Sequence, residues 1–207
     1  MNLPNKLSLL RVFLVPIFMV FYLCNFSLGI WRYVIAAVIY MAAGFTDFLD
    51  GNIARKYGLV TNLGKFLDPL ADKFMVMTSL LCLCYMSATL ANPFNTNPFS
   101  TNDKVYAALL VVASAIVIFR ELAITSMRLV AASTDGSVIA AAYLGKLKTV
   151  TQMVFTTFAI VEPAFYGTKL AIFNDHIISY ALMALMTVMT LWSGIDYMKG
   201  YWKYIKE

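Results

Sequence analysis

Asp47-Phe48-Leu49-Asp50-Gly51-Asn52-Ile53-Ala54-Arg55, followed after eight residues by Gly64 and then by Asp68 and Asp72, is the stretch that decides how this chain folds. These four aspartates lie in a chain that is 61% hydrophobic and has only eleven acidic residues. Asp47 and Asp50 are three apart and Asp68 and Asp72 four apart, so each pair shares one face of a helix. Each pair stands at the end of a long apolar run, and a short polar turn joins the runs. The two helices are therefore expected to return antiparallel and bring their acidic faces together. Four carboxylates at a membrane boundary repel one another and lose hydration, so they demand cations.

Working outward, 13% of the residues are charged, about half the usual share in a soluble domain. Mean hydropathy is +0.75. Crossing about 30 Å of hydrocarbon takes roughly 20 apolar residues, and several stretches reach that length. The expected fold is an all-α integral membrane protein. Residues 1–207 form a single domain of six transmembrane helices with a short N-terminal interfacial segment. The net charge of +5 is read as membrane orientation and attraction to anionic head groups, not as nucleic-acid binding. Cys24, Cys82 and Cys84 all lie in apolar runs without C-x-x-C spacing, which argues against a disulfide framework or a zinc site. The one histidine, His176, falls in a short connection and is expected at the interface.

Met1–Ser8 reads as the interfacial segment. The first 25 residues have a basic start and an apolar stretch, but no small-x-small cleavage site follows, so they are read as a retained span. The spans are expected at Leu9–Phe26, Trp31–Asp50, Gly64–Leu90, Lys104–Ala131, Lys146–Phe165 and His176–Tyr197. Gly51–Leu63 is expected as a polar turn, with Thr61 or Asn62 capping the next helix. Ala91–Asp103, with two Asn-Pro steps, reads as a loop. Six spans put both termini on one side. Of sixteen Lys and Arg, only Arg32, Lys104 and Lys169 fall on the opposite face, so the face with the acidic cluster is expected to be cytoplasmic.

Clustered carboxylates without His or Cys suit hard divalent cations such as Mg²⁺, and four of them match two such ions in charge. Two metals can clamp the attacking and leaving oxygens of a phosphoryl displacement. Gly51 lets a ligand approach its helix closely, and Arg55, one turn on, can fork onto a phosphate. Asp72, one turn beyond Asp68, is placed to take a proton from an attacking hydroxyl. A second, basic group comprises Arg120, Arg128, Lys146 and Lys148. Arg120 lies well inside a span, where an isolated charge is costly. Glu121 offsets part of it, and an anionic partner bearing a phosphate would match the rest.

The segment Asp47–Asp72 fits the pattern D-x2-D-G-x2-A-R-x8-G-x3-D-x3-D without a departure, and in this it resembles the CDP-alcohol phosphatidyltransferases. The six-span layout agrees, so the resemblance covers the whole chain. It implies that Asp47, Asp50, Asp68 and Asp72 bind two Mg²⁺ or Mn²⁺ ions, with Asp72 also the general base. It implies that Gly51, Arg55, Thr61 and Gly64 hold CDP-diacylglycerol, with Asn5 and Ser8 closing over it. Ser8 stands where relatives often have Thr, and the hydroxyl is kept. A homodimer in the inner (cytoplasmic) cell membrane, with both termini and the site on the cytoplasmic side, is implied too. Softer signals are Pro4-Asn5 with Ser8 and Arg11, Arg120-Glu121-Leu122, and Gly145-Lys146-Leu147-Lys148-Thr149 with Gln152. They imply that the acceptor is sn-glycerol 3-phosphate, its phosphate held by Arg120, Lys146, Lys148 and Arg128.

Two other readings compete. Within the family, inositol phosphate or phosphatidylglycerol could be the acceptor. From a different class, the aspartates could line the path of a cation transporter. Transport requires polar groups continuing across the bilayer, whereas spans two and three turn apolar or weakly polar away from Asp47 and Lys73.

Overall fold

The structure, a computed structural model, describes residues 2–24, 27–57, 62–89, 101–134, 143–165 and 176–205. Six α-helices are found among them: α1 (Leu3–Leu23), α2 (Trp31–Tyr57), α3 (Asn62–Thr89), α4 (Thr101–Thr134), α5 (Tyr143–Val161) and α6 (Ile177–Ile205). A 3-10 turn, Glu162–Phe165, follows α5. There is no strand among the described residues.

Helix α1 packs on α2 and α3, and α6 packs on α4 and α5. The halves join where α3 meets α4 and α2 meets α5. At Gly44 the second junction is close: a Cβ there would stand 1.8 Å from Met153 Cε.

The side-chain pattern is that of a protein solvated by lipid. Asn5, Ser8, Arg11, Ser79, Gln152, Thr156 and Ser193 are buried, while Phe119, Leu129 and Trp192 are exposed. Large apolar surfaces of this kind are carried by membrane-facing helices rather than by soluble monomers. Among the described residues, four helical segments are long and apolar enough to cross a membrane: Asn5–Leu23, Phe66–Thr89, Asp103–Val130 and Ile177–Gly200. A fifth apolar stretch, Trp31–Thr46, is shorter. The six expected spans are thus supported as four or five. Two lysines, Lys146 and Lys148, stand near the start of α5, and the polar half of α2 begins at Asp47.

Three boundaries differ from expectation for local reasons. Residues 3–8 are not a separate interfacial segment but the first turns of α1. Pro4 sits in the first turn, where its missing N–H costs no intrahelical bond. Helix α2 runs six residues past Gly51, through Tyr57, so most of the expected turn is helix. A glycine costs a helix only about 1 kcal/mol, and the sequence after it is compatible with helix. Span five loses its α-helical hydrogen bonding at Pro163 and finishes as the 3-10 turn. Residues 58–61, with Thr61, lie outside the described residues, as do 90–100, 135–142 and 166–175.

His176, expected at the interface, directly precedes the apolar stretch Ile177–Gly200. It is buried at the start of α6 with a positive φ of 57°. Its Nδ1 lies 3.1 Å from Glu162 Oε2 and its Nε2 3.4 Å from Asp103 Oδ1. Its ring stacks on Tyr106 at 4.3 Å. The imidazole thus ties the start of α4, the 3-10 turn and the start of α6 together. Burial pushes its pKa down, but the hydrogen bond and charge of Glu162, then those of Asp103, outweigh this and hold it above the usual 6.5. Tyr106 and Tyr180 complete the surroundings, with Tyr22 of α1 near Glu162.

A raised folded-state pKa stabilises the protein fully below the unfolded value and loses that contribution as pH rises through the folded one. The melting temperature in detergent is therefore expected to fall as pH is raised from about 6.5. His176→Gln should flatten that dependence, and an unchanged slope in the variant would contradict the assignment.

Candidate active site

Helix α2 carries Asp47, Asp50, Gly51 and Arg55, and α3 carries Gly64, Asp68 and Asp72. The side chains of the four α2 residues lie outside the described residues. Among the described residues, α1 packs against both α2 and α3. The N-terminal turns of α1 stand against the start of α3. Asn5 and Ser8 are buried there, and Ser8 Oγ donates a hydrogen bond to Asp68 Oδ1. Arg11, one turn on, is wholly buried. Gly64 is buried at the start of α3.

Asp68 and Asp72 are half-buried, one turn apart on α3. Asp72 is close enough to Tyr40 of α2 and Lys148 of α5 for its charge to act on both. Lys73 reaches across to α4, donating to Thr125 Oγ1. No group of three metal-ligating side chains occurs among the described residues, which leave out those of Asp47 and Asp50. The donor set still fits a hard divalent cation. It is made of carboxylates only, paired one turn apart on two helices that share α1 as a neighbour.

The basic residues gather on α4, α5 and α6. Glu121 Oε1 accepts from Arg120 Nη1 at 3.1 Å and from the buried Lys148 Nζ. Arg120 Nη2 donates to Ser193. Arg128 Nη2 donates to Tyr197 Oη at 2.9 Å, and both guanidinium groups lie near the Tyr197 ring. Lys146 stands apart: it is exposed and makes no ion pair among the described residues. The structure thus brings together Arg120, Arg128 and Lys148 of the four expected cations. It adds Ser193, Gly194 and Tyr197, which carry no motif in the sequence.

An open apolar groove of about 650 Å³ lies between α2 and α5. Met41, Gly44, Phe45, Met153 and Phe158 are among its lining residues. Gly44 is one turn before Asp47, so the groove begins next to the acidic end of α2.

The family model for CDP-alcohol phosphatidyltransferase matches residues 1–192. The chain belongs to the CDP-alcohol phosphatidyltransferase family. As a member of that family it is a membrane-embedded protein, in keeping with its apolar helices. It is similar to curated relatives named CDP-diacylglycerol–glycerol-3-phosphate 3-phosphatidyltransferase. The Bacillus subtilis relative is 35% identical, with 99% of this chain and 97% of the relative covered. That of Yersinia enterocolitica is 29% identical over 100% and 98%. That of Salmonella paratyphi A is 29% identical over 96% and 94%. Within this CDP-alcohol phosphatidyltransferase, the eight motif positions divide between α2 and α3, and the basic cluster comes from the other half of the bundle.

Proposed function

We propose that this phosphatidyltransferase transfers the phosphatidyl group of CDP-diacylglycerol to sn-glycerol 3-phosphate, giving phosphatidylglycerol phosphate and CMP. The observation that carries the reading is the cluster of Arg120, Arg128 and Lys148 around Glu121 and Tyr197, a surplus of positive charge fit for an acceptor's phosphate in a chain that carries the full aspartate motif. Lys148, the buried cation of that cluster, lies within range of the charge of Asp72, the candidate base on α3. Relatives that match over nearly their whole length bear the name of this reaction.

In the proposed mechanism Asp72 takes the proton of the acceptor hydroxyl. The freed oxygen attacks the lipid-side phosphorus, the phosphoanhydride bond breaks, and CMP departs with the bonding electrons. Arg120, Lys148 and Arg128 hold the acceptor's phosphate and fix its hydroxyl in line. Asn5, Ser8, Gly51, Arg55, Thr61 and Gly64 hold the CDP part. Asp47, Asp50, Asp68 and Asp72 would hold two Mg²⁺ or Mn²⁺ ions, which when bound supply positive charge to the pyrophosphate. The groove beside Gly44 offers an apolar bed for an acyl chain. Six spans place both termini and the site on the cytoplasmic side of the inner membrane, and the working unit is a homodimer.

The test is lipid product. Purified protein in lipid, given CDP-diacylglycerol, glycerol 3-phosphate and Mg²⁺, should form a lipid with the mass of phosphatidylglycerol phosphate, and a chelator should abolish it. Product undiminished by the chelator would overturn the metal-assisted reading. No product from folded protein would overturn the reaction.

A further inference from the structure

Tyr197 is buried on α6, and α4 and α5 converge on it. Its ring centroid lies 5.5 Å from the guanidinium carbon of Arg120 and 5.1 Å from that of Arg128, both on α4. Both distances are within cation–π range. Its hydroxyl accepts the 2.9 Å hydrogen bond from Arg128. From α5, Gly145 comes so close that a Cβ there would stand 3.3 Å from the same hydroxyl. Along the same side of α6, Ser193 receives Arg120 Nη2. Gly194 leaves room for the arginine stem, since a Cβ there would be 3.2 Å from Arg120 Cγ.

Core packing alone does not account for this arrangement. Two guanidinium groups held against one ring repel each other, and Lys148 adds a third cation nearby. Glu121 supplies one negative charge, so these four side chains carry two positive charges in excess. A phosphate dianion matches that excess. A rigid aromatic that contacts both guanidinium groups fixes their spacing before the anion arrives, which lowers the cost of binding it.

We propose that Tyr197 is a positioning residue for the acceptor's phosphate: it holds Arg120 and Arg128 at the spacing that phosphate requires. This rests on the reading that the acceptor carries a phosphate. Tyr197 acts through the two arginines, so its effect is expected in acceptor binding.

The test measures steady-state constants for both substrates in wild type, Tyr197→Phe and Tyr197→Leu. Tyr197→Phe keeps the ring and loses the oxygen that receives Arg128. The KM for glycerol 3-phosphate is expected to rise about threefold to tenfold. Tyr197→Leu loses ring and hydroxyl, and the same KM should rise about 10- to 100-fold. The KM for CDP-diacylglycerol should stay within about twofold in both, because the arginines that Tyr197 positions are assigned to the acceptor and not to the CDP part. Should the leucine variant fail to fold, Gly145→Ala, which crowds the same hydroxyl from α5, is expected to raise only the acceptor's KM.

An equal rise in both KM values, or a fall in kcat with both unchanged, would overturn the role of Tyr197. With wild type still active on glycerol 3-phosphate, that outcome leaves the reaction standing. Wild-type turnover only with an acceptor that lacks a phosphate would overturn both.

Discussion

Replacing Asp72 with asparagine is expected to lower kcat by about 10²- to 10⁴-fold, the range a positioned general base supplies. Binding of CDP-diacylglycerol should be largely kept. Asparagine keeps the shape of the side chain and removes its charge and basicity. Asp72 is set apart from Asp68 by its surroundings: its charge acts on Lys148, on the side where the acceptor's phosphate is proposed to lie. Asp68 instead takes the hydroxyl of Ser8, a residue assigned to the CDP part. Asp68→Asn is therefore expected to weaken donor binding, and Asp72→Asn to spare it. Binding of a labelled CDP-diacylglycerol analogue, measured beside turnover, separates the two. Equal loss of binding in both variants would make Asp72 a metal ligand first and would remove it as the base.

Arg120→Gln is expected to raise the KM for glycerol 3-phosphate by about 10- to 100-fold, as loss of one charge-assisted hydrogen bond to a phosphate implies. The KM for CDP-diacylglycerol should remain unchanged. The guanidinium is largely buried and held from three sides, by Glu121, Ser193 and the Tyr197 ring. Removing it leaves Glu121 to Lys148 alone, which further weakens the attraction for an anion. Lys146→Met is the contrast. Lys146 is exposed and outside the cluster, and its loss should change either KM by less than about twofold, as expected of an exposed, screened charge. If Lys146→Met raised the acceptor's KM as much as Arg120→Gln, the phosphate subsite would have to be redrawn toward the start of α5.

The sequence made the acidic half of this site readable, because helical spacing relates residues on one element or on neighbours. Asp47 with Asp50 and Asp68 with Asp72 declare shared faces. Arg120 inside an apolar run also announces itself, since an isolated charge there demands a partner. What α1 does to the acidic pair was less legible. Pro4 and the polar residues around it look like a surface segment, and only packing reveals that Ser8 turns inward to Asp68. Gly51 looked like a turn, because glycine marks turns more often than it interrupts a helix that tertiary contacts sustain.

Tyr197 could not be singled out at all. It is one of twelve tyrosines and fifteen phenylalanines in an apolar chain, and its partners lie on α4, distant in sequence. The partners of His176 were hidden for the same reason. Glu162 and Asp103, which bury and hold it, belong to other elements, and no local spacing connects them.

The most direct test of the central claim is CMP release by the purified protein in lipid with CDP-diacylglycerol and Mg²⁺. Glycerol 3-phosphate, inositol phosphate, phosphatidylglycerol and serine would each be offered alone. Release with glycerol 3-phosphate, absent with the other three and abolished by a chelator, is the predicted result. Release with inositol phosphate, serine or phosphatidylglycerol in place of glycerol 3-phosphate would contradict the account.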